Sequence, residues 1–220
     1  ARTSSRRLRL YVEPSYWASR SATAWLYVAV RVVTADVLAV VGKLATIDGK
    51  ASIDRIAICA GLPGYTRPNV ATGIGAKQVI FNLAEALLDE GDTIVFPTPY
   101  WTSYLDIAEI VNAKVDLLPC GPSQDYKLTP QQLDEALARK PRVFLFNNPS
   151  NPTGMVYSKD EISALADVLV KYPDTWVITD DIYNRMVFDG IGYHNFVQAR
   201  PELRDRVIFI DSLSKTYGMP

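Results

Sequence analysis

Three apolar segments of the chain are each followed by polar side chains that could take part in chemistry. The first leads into an asparagine-rich turn at 147–154, the second into Asp180 and Tyr183, and the third into a serine-rich segment that contains Lys215. If the segments are parallel strands, their carboxyl ends meet at one edge of a sheet, which is where α/β proteins build their sites. An amide, a carboxylate, a phenol and a lysine amine would then converge. This set of groups suits an aldehyde cofactor that is held as a Schiff base.

From about residue 75 the chain alternates helical and strand patterns, which is typical of a parallel α/β sheet. Apolar residues at helical spacing, followed by a glycine, indicate a helix at 77–90. Thr129 and Ser158 each stand three residues before a glutamine or glutamate, a capping signal that begins a further helix. Pro97 and Pro99 are expected to close the strand before them. The patterns also predict a helix at 101–111 and strands at 93–96, 114–118, 143–146, 176–179 and 207–210.

The composition disfavours several classes of function. Of the 220 residues, 48% are hydrophobic and 21% are charged, as is ordinary for a soluble globular protein. The net charge of -1 provides no long-range attraction to nucleic acid or to anionic membranes. Cys59 and Cys120 show no metal-binding or CxxC spacing, which favours reduced thiols and a cytoplasmic protein. His194 is the sole histidine and lies outside the motifs, so neither a histidine-dependent hydrolase nor a metal site is expected.

The first sixty residues give less distinct patterns. Residues 1–10 carry four arginines and no acid, which favours a solvated basic arm, with a transit peptide as the alternative. The apolar stretch at 24–42 approaches membrane length, but Arg31 and Asp36 interrupt it, so we expect it to be buried in protein. We predict an N-terminal segment of uncertain role at 1–60 and the main domain at 61–220.

Five motifs follow one another at spacings that strand and helix patterns fill. They are GAKQVIFNLAEALLDEGDTIV at 75–95, PTPYWTSY at 97–104, NNPSNPTG at 147–154, TDDIY at 179–183 and SLSKTYGMP at 212–220. Together they resemble the class I and II aminotransferases of the aspartate aminotransferase kind, which are pyridoxal-phosphate enzymes of fold type I. The resemblance covers roughly residues 61–220. It implies an α/β fold, namely the large cofactor-binding domain of the family, a three-layer sandwich with a mostly parallel sheet that is incomplete at its C-terminus.

Two departures from the family pattern suggest a partial enzyme. Residues 1–60, where the family has an arm and part of a small domain, lack its glycine-glutamate-proline motif. Tyr65 does not match the family tyrosine that reaches the cofactor of the other subunit. The chain ends at Pro220, before the positions of a phosphate-binding arginine and of the arginine that binds the substrate carboxylate. We therefore expect both arginines to be absent from this chain.

The resemblance gives Lys215 the catalytic role. It would form the Schiff base with pyridoxal 5'-phosphate and then move a proton between the substrate Cα and the cofactor C4′. Its amine must be neutral to attack an aldehyde, although a free lysine has a pKa of about 10.4. Asp180 would keep the pyridine nitrogen protonated, so that the ring can accept electrons. The family has a tyrosine three residues after this aspartate, which selects Asp180 over Asp181.

Other residues would hold the ring of the cofactor. By resemblance, Tyr183 and Asn151 hydrogen-bond its 3′ oxygen. Asn148 is the alternative amide, because the motif contains Asn-Pro twice. Trp101 would stack on the pyridine ring.

Phosphate binding is implied at the loop that begins the helix at 77–90. Gly75, Ala76 and Lys77 stand at this entry, where backbone N–H groups and the helix dipole favour an anion. The alternative for the Lys77 side chain is a position in solvent. Ser212 and Ser214 would add hydroxyl donors to the same phosphate.

The predicted function is a pyridoxal-phosphate-dependent aminotransferase in amino-acid metabolism and biosynthesis. It would move an amino group between an L-amino acid and a 2-oxo acid by a ping-pong mechanism. Because family active sites lie at a dimer interface, we expect a homodimer for the complete protein. Two alternatives stay open: another enzyme of the same fold type, namely a C–S lyase, decarboxylase or synthase, and a catalytically inert partial domain that binds the cofactor. A DNA-binding fusion is not favoured, since the chain has no basic excess and no clear helix-turn-helix pattern.

Overall fold

The computed structural model describes residues 28–31 and 69–218. The predictions for the basic arm, for Cys59, for Tyr65 and for the apolar stretch other than residues 28–31 concern residues outside these ranges. The division of the chain at residue 60 stays a prediction.

Seven strands form one sheet in the described part of the chain. They are β1 (Val28–Arg31), β2 (Val70–Gly73), β3 (Thr93–Thr98), β4 (Lys114–Pro119), β5 (Val143–Asn147), β6 (Trp176–Asp180) and β7 (Val207–Ser212). Their order across the sheet is β2-β1-β7-β6-β5-β3-β4. Strands β3 to β7 are parallel, whereas β1 is antiparallel to both β7 and β2. The prediction of a mostly parallel sheet is confirmed.

Six α-helices accompany the strands within the described ranges. They are α1 (Ala76–Leu87), α2 (Ser103–Ile110), α3 (Pro130–Leu137), α4 (Lys159–Val170), α5 (Phe196–Ala199) and α6 (Leu213–Thr216). Both predicted capping boxes are confirmed, with Thr129 starting α3 and Ser158 starting α4. Each box pairs N–H groups that a first helical turn otherwise leaves without a partner. None of the helices described here is both long and apolar enough to cross a membrane.

The helices cover both faces of the sheet, so the fold has three layers. Alternate side chains of a strand point to opposite faces, and the core follows this period. Val95 and Phe144 pack with residues of α3 and α4, whereas Ile94 and Leu145 pack with residues of α1 and α2. The predicted three-layer α/β sandwich is therefore confirmed.

Each of the five predicted strands extends one or two residues further than the prediction, and β3 shows the most informative difference. The sequence predicts that Pro97 closes the third strand, but β3 continues through Pro97 to Thr98. Proline has no N–H and therefore disrupts a strand that has partners on both sides. Here β3 pairs with β5 only at Ile94 and Val95, and its last residues pair with β4 alone. Pro97 is tolerated because this part of the strand resembles a sheet edge.

Candidate active site

The carboxyl ends of β5, β6 and β7 bring three polar residues to one edge of the sheet. These strands end on Asn147, Asp180 and Ser212. Asn147 lies opposite Asp180 in the register, and Asp180 lies opposite Ile210, two residues before Ser212. Because side chains alternate along a strand, Asp180 shares a face with Ile178, and Ser212 shares the same face with Ile210. This is the face that α1 and α2 cover.

The antiparallel strands bring the start of α1 to the same edge. Val28 of β1 lies between Ser212 of β7 and Gly73 of β2 in the register. The chain therefore leaves β2 near the end of β7 and enters α1 after Gly75. Gly73 permits close packing of the helix, since a Cβ at this position would lie 2.8 Å from Val79 Cγ2.

The first turn of α1 has the features of an anion site. Gly75 at the N-cap has no side chain to pair with the leading N–H groups, and the turn contains no acidic residue. These N–H groups and the helix dipole favour a negative charge. At the end of β7, the Ser212 hydroxyl lies 3.0 Å from the Ser214 hydroxyl and accepts a hydrogen bond from the Ser214 N–H. The residues predicted to bind phosphate thus come from two neighbouring segments of the same edge.

Lys77 and Trp101 lie together on this face. Lys77 Nζ is 5.1 Å from the centroid of the Trp101 ring, and the lysine side chain is exposed. Trp101 is half-buried and meets Tyr104 edge-on, with ring centroids 5.5 Å apart. The Lys77 side chain therefore lies over the indole, so its backbone N–H is the group that α1 offers to an anion.

Asp180 is buried at the centre of the site and is bonded through one oxygen. Its side chain is 1% exposed. Tyr104 on α2 donates a hydrogen bond from its hydroxyl to Asp180 Oδ2 at 2.6 Å. Asp180 Oδ1 is buried and has no hydrogen-bond partner among the described residues. A buried acceptor without a donor is unusual in a folded protein and indicates a position for a ligand group.

Burial makes the charge on Asp180 unfavourable in the protein alone. It raises the pKa of Asp180 to about 6, against the opposing effects of the Tyr104 hydroxyl and the nearby Ile182 backbone N–H, and the nearby Asp211 carboxylate contributes to the rise. Asp211 is itself shifted, because burial raises its pKa, although the Ser212 N–H favours its charge. A cation next to Asp180 would offset this cost and lower the pKa of the carboxyl again.

Asp181 is engaged elsewhere. The Thr179 hydroxyl donates to Asp181 Oδ2 at 2.6 Å, and the aspartate is 1% exposed. Burial, together with the charges of Asp180 and Asp211, raises its pKa well above the ordinary value. Asp181 is therefore an interior residue, and Asp180 is the aspartate that presents an oxygen without a partner to the site.

Asn151 and Tyr183 meet in front of Asp180. The Asn151 side-chain N–H group donates to the Tyr183 hydroxyl at 3.4 Å. Asn147 fixes this loop, because its Oδ1 accepts from the Asn151 N–H at 2.7 Å and its Nδ2 donates to the Asp180 carbonyl at 2.6 Å. The loop after β5 is thus tied to the end of β6 by one side chain.

Asn148, the alternative amide, is buried, and both its side-chain oxygen and its side-chain nitrogen form hydrogen bonds within the protein. Its Oδ1 accepts from the Tyr157 N–H at 3.1 Å, and its Nδ2 donates to the His194 carbonyl at 3.2 Å. Asn151 therefore remains the amide that is available at the edge of the site.

Lys215 completes the group of candidate residues. It lies in α6, just beyond the end of β7, and its side chain is exposed. Its Nζ is 5.9 Å from the centroid of the Tyr183 ring. Burial raises the pKa of Tyr183, and the charge of Asp180 raises it further, which indicates that Asp180 is close to the same phenol. The amine and the carboxylate thus lie near one tyrosine at one edge of the sheet.

Two residues of the site were not predicted from the sequence. Tyr104 is part of a motif and lies three residues after Trp101, so that the helix predicted at 101–111 would put both on one face, which is the available signal; in the structure α2 begins at Ser103, after Trp101. Asn147 looks like an ordinary turn residue at the end of an apolar run, and nothing in its sequence neighbourhood distinguishes it from Asn148.

A cavity of about 480 Å³ opens beside Asn151 and Tyr183. Apolar side chains form much of its wall, among them Met186, Phe188 and Ile191. In the parts of the chain that the structure describes, no three His, Cys, Asp or Glu side chains are grouped so that they could hold a metal ion.

The residues at this edge fit a ring that carries an N–H group, an aldehyde and a phosphate. A ring N–H would provide the donor that Asp180 Oδ1 lacks. The first turn of α1 suits the phosphate, and the Lys215 amine suits the aldehyde.

Comparisons with known proteins agree with this arrangement. The family model "Aminotransferase class I and II" matches residues 53–220. The aspartate aminotransferase of Rhizobium meliloti is 41% identical over 155 residues, which are 70% of this chain and 38% of that protein. The aspartate/prephenate aminotransferase of Cereibacter sphaeroides is 37% identical over 183 residues, which are 80% of this chain and 45% of that protein. The crystal structure of the Rhizobium meliloti aspartate aminotransferase matches with a TM-score of 0.75 and 33% identity, covering 86% of this chain and 50% of that chain. The chain thus spans less than half the length of these curated relatives.

Proposed function

The chain belongs to the class I and II aminotransferases, and on this premise we propose that the complete protein is a pyridoxal-phosphate-dependent aminotransferase. It would move an amino group between an L-amino acid and a 2-oxo acid. The observation that carries the proposal is the edge of the sheet where the Lys215 amine lies beside Tyr183, near the unpaired oxygen of Asp180. The family that the five sequence motifs indicate is confirmed; the reaction is the proposal.

Pyridoxal phosphate supplies an aldehyde that captures the substrate amine and a protonated ring that accepts the electrons of the Cα–H bond. Asp180 would hold the ring nitrogen through Oδ1 and keep the proton on it. Burial makes this contact effective, because opposite charges attract more strongly where water is excluded. The ring cation would in turn lower the Asp180 pKa from about 6, so that the carboxylate would stay charged in mildly acidic solution as well.

Lys215 would hold the aldehyde carbon of the cofactor before the substrate arrives. Its amine would then carry a proton away from the substrate Cα and deliver it to C4′ of the cofactor. The Lys215 side chain is exposed and is not part of the buried core. The amine can therefore move between these two atoms without disturbing the packing of β7.

Tyr183 and Asn151 would orient the ring through its 3′ oxygen. Their own hydrogen bond is long, at 3.4 Å, so a ligand oxygen placed beside the pair can form shorter hydrogen bonds to both groups. Asn147 would support the arrangement, because it holds the Asn151 backbone N–H at 2.7 Å.

The phosphate would bind at the first turn of α1. The N–H groups of Ala76 and Lys77 and the hydroxyls of Ser212 and Ser214 are its proposed donors. Trp101 would cover the ring and keep water from the reacting carbon.

The finer parts of the proposal rest on the family resemblance. We propose L-aspartate as the first amino donor to test, because the two relatives are named for aspartate. We also propose a homodimer that acts in amino-acid biosynthesis in the cytoplasm.

The test is a half-reaction with the protein at its full natural length and loaded with pyridoxal phosphate. L-Aspartate is added without any 2-oxo acid, and the absorbance of the cofactor is followed. We expect conversion to the pyridoxamine form with one equivalent of oxaloacetate, and return to the starting spectrum when 2-oxoglutarate is added.

Two results would contradict the proposal. Steady release of ammonia or sulfide from an amino acid, with the cofactor spectrum unchanged at the end, would favour a lyase. Binding of the cofactor without conversion by any of the common amino acids would favour an inert domain.

A further inference from the structure

We infer that Tyr104 is a positioning residue, whose hydroxyl holds Asp180 through Oδ2 so that Oδ1 is the one oxygen left for the ring nitrogen of the cofactor. The inference rests on the proposed function, since it concerns how the same site binds pyridoxal phosphate. It adds a residue of α2 to a set that otherwise comes from strand ends, the loops after them, the short helix α6 and the first turn of α1.

The geometry of the contact supports this role. The Tyr104 hydroxyl lies 2.6 Å from Asp180 Oδ2, a distance typical of a strong bond to a charged acceptor. Tyr104 is 2% exposed and Asp180 is 1% exposed, so water does not compete for the bond.

Packing holds the phenol in this position. The Tyr104 ring meets Phe96 edge-on with centroids 6.0 Å apart, and it meets Trp101 edge-on at 5.5 Å. A ring enclosed in this way has few alternative rotamers. The carboxylate therefore cannot turn freely, and one oxygen is committed to the phenol while the other stays open.

The proton of this bond stays on the phenol. Burial raises the Tyr104 pKa well above its ordinary value, and the adjacent Asp180 charge raises it further. Tyr104 is thus a donor at every pH of interest, and its hydrogen bond favours the charged form of Asp180. The other ionisable groups near Asp180 are Asp181, Tyr183 and Asp211, and each carries negative charge when ionised.

Removal of the hydroxyl has a predictable consequence. Without the donor, Asp180 becomes neutral at a higher pH, and a neutral carboxyl no longer attracts a protonated ring. The effect depends on the ring N–H group. A ligand that lacks this group should not sense the change.

The experiment compares two ligands on the protein at its full natural length. One is pyridoxal phosphate, and the other is its 1-deaza analogue, in which a C–H group replaces the ring nitrogen while the aldehyde and the phosphate remain. Equilibrium dissociation constants are measured by quenching of tryptophan fluorescence in the wild type and in Tyr104→Phe. Tyr100→Phe is the matched control, because it removes a phenol hydroxyl from the same segment.

We expect Tyr104→Phe to bind pyridoxal phosphate about 10-fold or more weakly, as for loss of a buried hydrogen bond to a charged group. Its affinity for the 1-deaza analogue should change less than about twofold, and Tyr100→Phe should match the wild type with both ligands. The pH at which pyridoxal phosphate affinity falls on acidification should move upward in Tyr104→Phe. Tyr104→His, which retains a donor, should keep most of the preference for pyridoxal phosphate.

The outcomes separate the inference from the proposed function. Equal losses for both ligands would mean that Tyr104 acts through packing, and no loss for either would mean that the bond has no role; both overturn the inference while leaving the proposed function intact. Loss of the preference in Tyr104→His as complete as in Tyr104→Phe would overturn it as well. A wild type that binds neither ligand would overturn the inference together with the proposed function.

Discussion

Replacement of Asp180 by asparagine is expected to stabilise the cofactor-free protein above pH 6 while it removes the affinity for the cofactor. Asp180 is 1% exposed, and burial raises its pKa from 3.8 to about 6. The folded state therefore opposes ionisation of this group. Its contribution to stability is fully present below the unfolded pKa of about 4 and is lost as the pH rises through about 6.

The size of the effect follows from the two pKa values. The rise from 3.8 to about 6 corresponds to about 3 kcal/mol of unfolding free energy at pH 8, and to less than 1 kcal/mol at pH 4. The asparagine side chain of the variant would have no charge to bury at either pH. Relative to the wild type, Asp180→Asn should therefore gain about 2 to 3 kcal/mol between pH 4 and pH 8.

Urea unfolding of the cofactor-free protein, followed by circular dichroism at pH 4 and pH 8, measures this difference. The unpaired amide N–H that asparagine introduces carries a penalty at both pH values, so it cancels in the comparison. Asp106→Asn on α2 is the control, because Asp106 is exposed and the substitution should have nearly the same small effect at both pH values.

Addition of pyridoxal phosphate should make the wild type more stable than Asp180→Asn at pH 8, the reverse of the order without the cofactor. The ligand stabilises a folded protein that binds it, so excess cofactor should stabilise the wild type at pH 8 far more than Asp180→Asn. If the difference in unfolding free energy between Asp180→Asn and the cofactor-free wild type is the same at pH 8 as at pH 4, the carboxylate does not carry the buried charge that we describe, and the reasoning fails.

Three further predictions concern other parts of the fold. Lys215→Ala should lower the rate of amino transfer by at least about 100-fold, measured with L-aspartate and 2-oxoglutarate, because it removes the proposed proton carrier; a rate near that of the wild type would exclude Lys215 from the chemistry. Gly73→Ala, whose added Cβ would lie 2.8 Å from the first turn of α1, should weaken pyridoxal phosphate about 3- to 10-fold without weakening pyridoxal. Gly121→Ala, where a Cβ meets nothing within 4 Å, should leave both affinities unchanged. Tyr157→Phe removes the acceptor of the Leu128 N–H, which is 2.6 Å from the hydroxyl; it should lower the free energy of unfolding by about 1 to 3 kcal/mol in urea titrations, and an unchanged midpoint would contradict this assignment.

Much of the fold could be predicted because its signals are local. The capping boxes that begin at Thr129 and Ser158 each span only four residues. The alternation of apolar runs with helical repeats identifies β3 to β7. The strand ends were predicted less well, and the prediction that Pro97 closes its strand was wrong. The effect of Pro97 depends on how far the neighbouring strand β5 extends, which is not a property of the proline's own sequence neighbourhood.

The antiparallel strands could not be predicted in the same way. Residues 28–31 lie in a stretch whose composition suits both strand and helix, and pairing with β7 on one side and β2 on the other selects the strand. This pairing brings the start of α1 to the end of β7. The proposed phosphate-binding residues Gly75 and Ser212 thus lie near each other because of a strand pairing between segments that are far apart in the sequence.

In the candidate site, too, the residues within local motifs could be predicted, whereas a residue defined by a long-range contact could not. The motifs indicated Asp180, Tyr183, Asn151 and Lys215, whose functional roles stay predictions. The role of Tyr104 could not be predicted from the sequence, because its hydrogen-bond partner Asp180 lies 76 residues further along the chain. Buried phenols on helices are also common in cores that have no function, so the residue type alone does not distinguish it.

The proposed covalent bond between Lys215 and pyridoxal phosphate offers the most direct test of the central claim. The protein at its full natural length, loaded with pyridoxal phosphate, is reduced with borohydride, digested and analysed by mass spectrometry. We expect one pyridoxyl group, carried by the peptide that contains Lys215. A pyridoxyl group on a different lysine, such as Lys77, or no covalent adduct at all, would contradict the assignment of this edge of the sheet as the active site.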